Sequence, residues 1–176
     1  MRRVFILVPV VISAGLIVWV VWRRTFDGPW TTVVSAKHKF KIDMPGNPES
    51  KQENLAFGAI DVWEAFEPGK SGGMLKVYVR AAPIADEMVT KEALDAMRDA
   101  AIEGMKCRFV RDKERQYANH YVGRDVEVEV LKNGDKGRCF FLVANGTYYS
   151  FMAFAHPSSP FWKKVDRSFD SFELIP

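Results

Sequence analysis

"RDVEVEVLKNGDKGRCFFLVANGTYYSFMAFA", residues 124 to 155, is the stretch of the sequence that decides the fold. It contains two Asn-Gly pairs, Asn133-Gly134 and Asn145-Gly146. Asn-Gly is the strongest short-range hairpin signal, because a type I′ turn needs a positive φ at both central residues. The two pairs therefore divide the region into three antiparallel strands joined by tight turns.

The three strands differ in their polarity patterns. In the first, Val126, Val128 and Val130 alternate with acidic residues, which is typical of a strand with one buried face. The other two, "RCFFLVA" and "TYYSFMAFA", are apolar on both faces, and such strands need a layer on each side of their sheet. The pattern predicts an antiparallel sheet flanked by helices on both faces, an α/β/α sandwich.

Upstream of this region the sequence predicts a hairpin and then a helix. "IDVWEAFE" (60–67) and "MLKVYVR" (74–80) have the composition of strands and flank the turn-forming residues 68–73. From Thr90 to Lys106 the period changes to that of an amphipathic helix, with Thr90 as a suitable N-cap. The apolar stripe of this helix consists of Leu94, Met97, Ala101 and Met105.

The two ends of the domain carry further elements. "KHKFKIDMPGNPE" (37–49) alternates as a half-buried strand and stops at turn-forming residues. Near the C-terminus, Ser159-Pro160 predicts the N-cap and first position of a second helix, followed by a short strand in "SFELI" (171–175). Because strand runs and helices are segregated, the fold class is α+β with an antiparallel sheet.

The N-terminal segment is a candidate membrane anchor. Residues 4–22 carry no charge, and at about 1.5 Å per residue a helix of this length spans roughly 28 Å, close to a bilayer's hydrocarbon core. The alternative is a signal cleaved after Ser13-Ala14-Gly15, which would leave "LIVWVVW" at the new N-terminus. We expect a retained signal-anchor transmembrane helix at 1–25, a short neck at 26–29 and one soluble domain at 30–176.

The charge balance of the domain argues against nucleic-acid binding. The chain has 25 basic and 22 acidic residues, and four Arg with no acid lie in residues 1–24, which leaves 25 − 4 = 21 basic against 22 acidic. The pI of about 8.8 is therefore a property of the leader. Nucleic-acid binding needs a basic face on the domain itself, so we expect no such partner.

The sequence offers no recognisable catalytic, cofactor-binding or metal motif. The three histidines, His38, His120 and His156, have no second ligand type at a metal-like spacing, and HExxH, CxxC, GxSxG and glycine-rich phosphate loops are absent. Asp125, Glu127 and Glu129 share one strand face. Their acidic side chains favour a solvated surface, with Glu129 opposite Arg138, over a pair of catalytic carboxylates.

Cys107 and Cys139 invite a disulfide in an exported domain. If residues 107–117, 121–131 and 137–144 form a meander, however, a whole strand separates the two cysteines. The lateral distance is then about 9 to 10 Å, whereas a bridge needs Cα atoms closer than about 7 Å. We expect two buried free thiols. A different strand order would still allow the disulfide.

Three further features each have two interpretations. Lys37, Lys39 and Lys41 could meet anionic lipid headgroups or simply line a strand face. The sequon Asn145-Gly146-Thr147 is already explained by the hairpin turn. The strand aromatics could line a small-molecule pocket or fill the core, and they are Trp63, Tyr78, Tyr148, Tyr149, Phe151 and Phe154.

Two motifs carry a resemblance to a known group of proteins. "FKIDMPGNPE" (40–49) and "RSFDSFEL" (167–174) resemble the opening and closing signatures of bacterial exported or membrane-tethered domains related to the PsbP and DcrB families. PsbP is an extrinsic lumenal subunit of photosystem II, and DcrB is a periplasmic lipoprotein. The segment before the first motif, "SAKHKFKI", is more basic than the Ser-Pro-Glu-Gly type expected there.

The resemblance implies a PsbP-like α/β/α sandwich placed outside the cytoplasmic membrane, usually without catalytic residues. We therefore expect a single-pass membrane protein with an extracytoplasmic, non-catalytic binding or assembly domain of the cell envelope. Its partners would be membrane lipid, through residues 4–22, and an unknown envelope protein. The alternatives are an enzyme whose site is assembled from scattered polar residues, or a carrier of a small apolar ligand.

Overall fold

The structure is a computed structural model that describes residues 29–55, 58–68, 74–85, 90–117 and 121–176. Ten strands and two helices lie in these ranges. The strands are β1 (Trp30–Ser35), β2 (Phe40–Pro45), β3 (Glu49–Leu55), β4 (Gly58–Pro68), β5 (Met74–Pro83), β6 (Cys107–Tyr117), β7 (Tyr121–Val130), β8 (Lys136–Ala144), β9 (Thr147–Ala155) and β10 (Glu173–Leu174). The helices are α1 (Lys91–Gly104) and α2 (Trp162–Asp170).

The strands form two sheets in which every pairing is antiparallel. The large sheet has seven strands in the order β3-β4-β5-β9-β8-β7-β6. The small sheet has three strands in the order β1-β2-β10. The predicted hairpin of residues 60–67 and 74–80 is confirmed as β4 and β5, and the predicted last strand is confirmed as β10, which pairs with β2.

The layers differ from the predicted fold class, which is wrong. One face of the large sheet packs against α1 through Leu94 and Ile102. The other face packs against the small sheet, through residues such as Phe40 and Ile42, and against α2, through Val165. The described part of the protein is thus mostly β, with a helix on one face and a second sheet beside a helix on the other.

The reason for this error is physical. The continuous apolar runs of β8 and β9 indicate that both faces are covered, and both strands are indeed buried on both faces. A strand such as β2, with one apolar face, removes water from a neighbouring sheet as well as an amphipathic helix does. The pattern of a buried strand therefore specifies that a cover exists and not which kind of element provides it.

The prediction of helix α1 is confirmed, including its N-cap. Thr90 has extended backbone angles, and its Oγ1 accepts a hydrogen bond from the Ala93 N–H at 3.1 Å. Helix α2 begins later than predicted. Its N-cap is Phe161, which makes no side-chain capping bond, while Ser159 Oγ accepts from the Phe161 N–H at 3.2 Å in the preceding turn.

One of the two Asn-Gly turns matches the prediction and the other does not. Asn145 and Gly146 have φ values of 52° and 67° and join β8 to β9 with a two-residue turn, as expected for type I′. Between β7 and β8, residues 131–135 form a longer loop closed by a bond from the Val130 N–H to the Asp135 carbonyl at 2.8 Å. There Gly134 has a positive φ of 70° and Asn133 does not.

The chain enters the domain at Pro29, whose carbonyl accepts a bond from the Gly46 N–H at 2.7 Å. We call the end of the sheets that carries Pro29 and Gly46 the neck end. The opposite end, with the β1–β2 turn at 36–39 and the Asn145-Gly146 turn, is the turn end. The two ends are about 20 Å apart, since β1 has six residues.

The predicted transmembrane helix at 1–25 and most of the predicted neck at 26–29 lie outside the described residues. Neither α1 nor α2, the two helices in the described part, has the length and apolar character needed to cross a bilayer.

Candidate functional site

A buried histidine and an aspartate meet at the turn end. His38 is 4% exposed, and its Nε2 lies 2.7 Å from Asp61 Oδ2 on β4. The backbone of the turn is also held, because the His38 N–H donates to Ser35 Oγ at 3.2 Å and the Tyr149 hydroxyl donates to the His38 carbonyl at 2.5 Å. The fold thus places the one buried imidazole of the described residues against a carboxylate 23 positions away.

Asp61 has two further partners. Lys37 Nζ donates to Oδ2 at 2.6 Å, and Gln52 Nε2 donates to Oδ1 at 3.0 Å. The hydrogen bond from Lys37, followed by that from His38, lowers the pKa of Asp61 to about 2, against the opposing effect of burial. The carboxylate is therefore ionised at neutral pH, so the His38 Nε2–H is the donor in their contact.

These contacts make the Asp61 carboxylate itself a poor general base near neutral pH. A general base works best when its pKa lies near the operating pH, and the pKa of Asp61 lies far below it. The His38 ring packs edge-on against Trp63, with ring centroids 6.0 Å apart, and among the described residues no hydroxyl or thiol side chain bonds that ring. The arrangement fixes the β1–β2 turn against β4.

The other two histidines do not join this cluster. His156 is exposed, and its Nδ1 lies 2.9 Å from Ser158 Oγ within a local turn before α2. His120 lies outside the described residues. Within the part of the chain that the structure describes, no three His, Cys, Asp or Glu side chains come together in a group that could hold a metal ion.

The acidic side chains of β7 form ion pairs with neighbouring arginines. Asp125 accepts from Arg138 at 2.9 Å, and Arg138 also bonds Asp166 of α2 at 2.9 Å. Glu127 pairs with Arg111, and Glu129 pairs with Arg108 at 2.8 Å. These side chains are part-exposed and each is paired with an arginine, which favours a solvated surface.

The predicted Glu129–Arg138 pair is wrong, and the turn explains why. A two-residue turn at Asn133-Gly134 would place Glu129 opposite Arg138. The observed loop of residues 131–135 shifts the register by two positions, so Glu129 faces Lys136 and Glu127 faces Arg138. Register in a hairpin follows from loop length, and the loop length was misjudged.

The cysteines are free, as predicted. β7 lies between β6, which carries Cys107, and β8, which carries Cys139. Burial raises the pKa of both thiols. Cys139 is fully buried, whereas Cys107 is only half-buried and its Sγ lies 3.6 Å from the Met105 carbonyl oxygen.

The strand aromatics are divided between the two faces of the large sheet. Tyr149 and Phe151 are buried under the small sheet and α2, with Trp63 packed against them. Tyr148 is buried on the α1 face, where Tyr78 and Phe154 pack beside it, and burial raises the pKa of its hydroxyl. These positions favour core packing over a ligand pocket.

Lys37, Lys39 and Lys41 lie at or near the turn end and not at the neck end. Lys37 forms an ion pair with Asp61, and Lys41 forms one with Glu173 at 2.8 Å. Lys39 lies in the turn with a positive φ of 52°. If residues 4–22 hold the domain at a bilayer, this end is the one directed away from the lipid. The geometry therefore disfavours the headgroup interpretation of these lysines.

A buried ion pair at the neck end was not predicted from the sequence. Lys164 of α2 is 9% exposed, and its Nζ lies 2.5 Å from Glu67 Oε1 of β4, while Glu67 Oε2 is buried without a hydrogen-bond partner among the described residues. The signal was present in β4, because Glu67 shares the inward parity of Trp63 and Ala65. An acid on the buried face of a strand predicts a buried cation opposite it.

Comparison with known proteins relates the chain to structures only. No family model and no curated protein matches the sequence. The solution structure of cyanobacterial PsbP from Synechocystis sp. PCC 6803 is similar, with a TM-score of 0.54 and 14% identity over 82% of this chain and 92% of that chain.

Two crystal structures show a weaker likeness. One is a protein of unknown function from Pseudomonas aeruginosa, described as a putative regulator, with a TM-score of 0.44 and 12% identity over 85% of this chain and 98% of that chain. The other is from Bacteroides thetaiotaomicron, with the same score and identity over 86% of this chain and 50% of that chain. From the cyanobacterial structure, and as the two sequence signatures implied, the protein has a PsbP-like fold.

Proposed function

We propose that this protein is a non-catalytic binding or assembly module of the cell envelope. In this proposal, residues 4–22 hold it at the membrane and the PsbP-like domain lies on the extracytoplasmic side. The similarity to a PsbP structure is consistent with a non-catalytic module. The specific partner is left for experiment to identify.

One observation carries the proposal. The described domain buries one imidazole, that of His38, and its carboxylate partner Asp61 is held by contacts to Lys37, His38 and Gln52. Acid–base catalysis at neutral pH would need one of these groups to exchange a proton with a substrate. Here the carboxylate instead tethers the β1–β2 turn to β3 and β4, which is a structural task.

The membrane part of the proposal rests on the sequence. Residues 4–22 are uncharged and of bilayer length, and the domain that follows is nearly charge-balanced. The chain enters the domain at Pro29, which lies at the neck end beside Gly46. An anchor joined there would leave the turn end accessible to a partner.

The test is capture of partners by the detergent-solubilised full-length chain, followed by mass spectrometry. We expect enrichment of one envelope complex over a control in which the same leader carries an unrelated domain. Recovery of the same proteins by both baits would contradict the binding proposal, because the leader alone would then account for them.

A His38→Gln variant separates a structural role from a catalytic one. If the cluster is structural, the variant lowers the unfolding temperature and captures the same partners when assayed well below that temperature. If instead a hydrolase or transferase activity is found in the wild type and the folded variant lacks it, the enzyme alternative replaces this proposal.

Protease accessibility tests the placement of the domain. In intact spheroplasts an added protease is expected to digest residues 30–176, and in inverted vesicles these residues are expected to be protected. Digestion only in inverted vesicles would place the domain on the cytoplasmic side and overturn that part of the proposal.

A further inference from the structure

The exposed apolar side chains of the domain are concentrated at the neck end. Six large hydrophobic residues of the described part are exposed. Val34 and Val122 lie toward the turn end, opposite Lys41 and Gln116 respectively, and the other four are Phe66, Phe109, Val110 and Leu131. An apolar surface that is gathered at one end of a domain marks a contact site more strongly than scattered single residues do.

The strand registers place these residues at the same end as the entry of the chain. A Cβ on Gly46 would lie 3.9 Å from the Phe66 carbonyl oxygen. From Phe66, one cross-strand row runs through six of the seven strands of the large sheet and ends at Phe109 on β6, by way of Lys76, Phe154, Gly137 and Val128. Phe109 therefore belongs to the same cross-strand row as Phe66, the residue beside which Gly46 lies.

Three of the exposed residues form a patch at the β6 corner. Val110 is the extra residue of a bulge between Phe109 and Arg111, and it is 59% exposed. Leu131 is 65% exposed, and its N–H bonds the Lys106 carbonyl at 3.0 Å, which brings the β7–β8 loop against the start of β6. We call Phe109, Val110 and Leu131 the neck-end patch.

Basic side chains surround the neck-end patch. Lys106, Arg108 and Lys132 are all exposed and adjacent to it in the chain. The acids nearby are Glu129, which is paired with Arg108, Glu103 at the end of α1, and Asp135 in the β7–β8 loop, which accepts a hydrogen bond from Asn133. Apolar side chains flanked by lysine and arginine match an anionic bilayer surface, where apolar groups enter the headgroup boundary and cations attract the lipid charge.

We propose that the neck-end patch docks on the surface of the anionic bilayer that holds the protein. The inference rests on the membrane anchoring in the proposed function, since the segment 4–22 joins the domain through Pro29 at this same end. Each unpaired cation at such a surface strengthens the attraction about fivefold, so Lys106 and Lys132, which make no ion pair among the described residues, suffice beside an apolar patch to orient a domain that is already tethered. Docking keeps the turn end directed into the surrounding solution.

The test is hydrogen–deuterium exchange of the full-length chain in nanodiscs. We expect backbone amides at 106–111 and 129–136 to exchange at least threefold more slowly in phosphatidylglycerol discs than in phosphatidylcholine discs. The variant Val110→Ser with Leu131→Ser is expected to lose this difference. Val34→Ser, which changes a residue that is 61% exposed near the other end, is expected to keep it.

Equal exchange in the two lipids, or protection that survives in the patch variant, would overturn the docking. All variants are first compared by thermal unfolding, and a double variant that unfolds early is replaced by Lys106→Gln with Lys132→Gln, for which the same loss is expected. A failure of the membrane anchoring is distinguishable, because the chain would then not co-elute with either kind of disc. In that case the docking is tested by flotation with phosphatidylglycerol vesicles. Binding by the wild type and not by the patch variant would support the docking, and no binding by the wild type would refute it.

Discussion

The backbone N–H of Asp43 donates a hydrogen bond to Ser171 Oγ at 2.8 Å, across 128 positions of the chain. Ser168 Oγ adds a bond to the Asp43 carbonyl at 2.8 Å, and the Arg167 guanidinium lies over the Trp30 ring, 4.1 Å from its centroid. The two sequence signatures, 40–49 and 167–174, are therefore two sides of one contact. They join the small sheet to α2, and these two elements together cover one face of the large sheet.

The first prediction tests this contact. Ser171→Ala leaves the Asp43 N–H without its partner, and we expect the free energy of unfolding to fall by about 1 kcal/mol. Ser50→Ala, at an exposed position of β3, serves as the control and is expected to change it by less than about 0.5 kcal/mol. Chemical denaturation measures both values, and equal effects would show that the bond contributes nothing specific.

The second prediction concerns acid stability. Because the folded-state pKa of Asp61 is lowered to about 2, its ionised form stabilises the fold above the unfolded pKa near 4. That contribution is lost as pH falls from about 4 toward 2, and we expect it to be about 1 kcal/mol after solvent screening. Asp61→Asn should flatten the stability profile in this window.

The comparison for that experiment is Asp170→Asn, which changes an exposed carboxylate at the end of α2. Unfolding midpoints are recorded at several pH values between 2 and 7. An Asp61→Asn profile as steep as that of the Asp170 variant would contradict the assigned role of the Lys37 and His38 contacts.

The third prediction concerns close packing in β7. A Cβ at Gly123 would lie 2.7 Å from the Phe140 ring and 2.8 Å from the Phe141 carbonyl oxygen. Because one of these atoms is backbone, Gly123→Ala is expected to destabilise the domain by about 1 to 3 kcal/mol. Gly104→Ala, where nothing lies within 4 Å at the end of α1, should be neutral or stabilising.

The fourth prediction concerns the thiols. In native protein at pH 8, Cys139 should not react with an aromatic disulfide reagent and Cys107 should react slowly, because burial raises the pKa of both. In denaturant without reductant, two thiols per chain should react. A count of zero in denaturant would reveal a bridge that the intervening strand β7 forbids.

The fifth prediction concerns the buried pair of Lys164 and Glu67. Lys164→Met leaves the Glu67 carboxylate buried and unpaired, and we expect a loss of about 3 kcal/mol in the free energy of unfolding. Lys164→Met combined with Glu67→Leu should recover most of this loss, since two apolar side chains need no partner. A double variant as unstable as the single one would show that the pair does more than neutralise charge.

Local patterns predicted the elements well. The Thr90 cap and the apolar stripe of α1, the β4–β5 hairpin and the Asn145-Gly146 turn all depend on residues close in sequence, and all are confirmed. The Asn133-Gly134 turn failed because the bond from Val130 to Asp135 closes a longer loop. That error then moved the partner of Glu129.

The candidate site was harder to predict than the elements. His38 lies in the β1–β2 turn of the small sheet and Asp61 lies 23 positions away in the large sheet, so no spacing in the sequence joins them. The neck-end patch combines residues from β6 and from the loop after β7, and their common level is visible only through the registers of six strands.

The sequence by itself determined that β8 and β9 are buried on both faces, where the chain turns and where α1 begins, because periodicity, capping and turn chemistry act over a few residues. Only the tertiary structure decided that a second sheet covers one of those faces and that Lys164 meets Glu67 across 97 positions. The physical reason is that burial requires a partner without specifying its place in the chain. Packing of the whole domain selects that partner from among many of similar polarity.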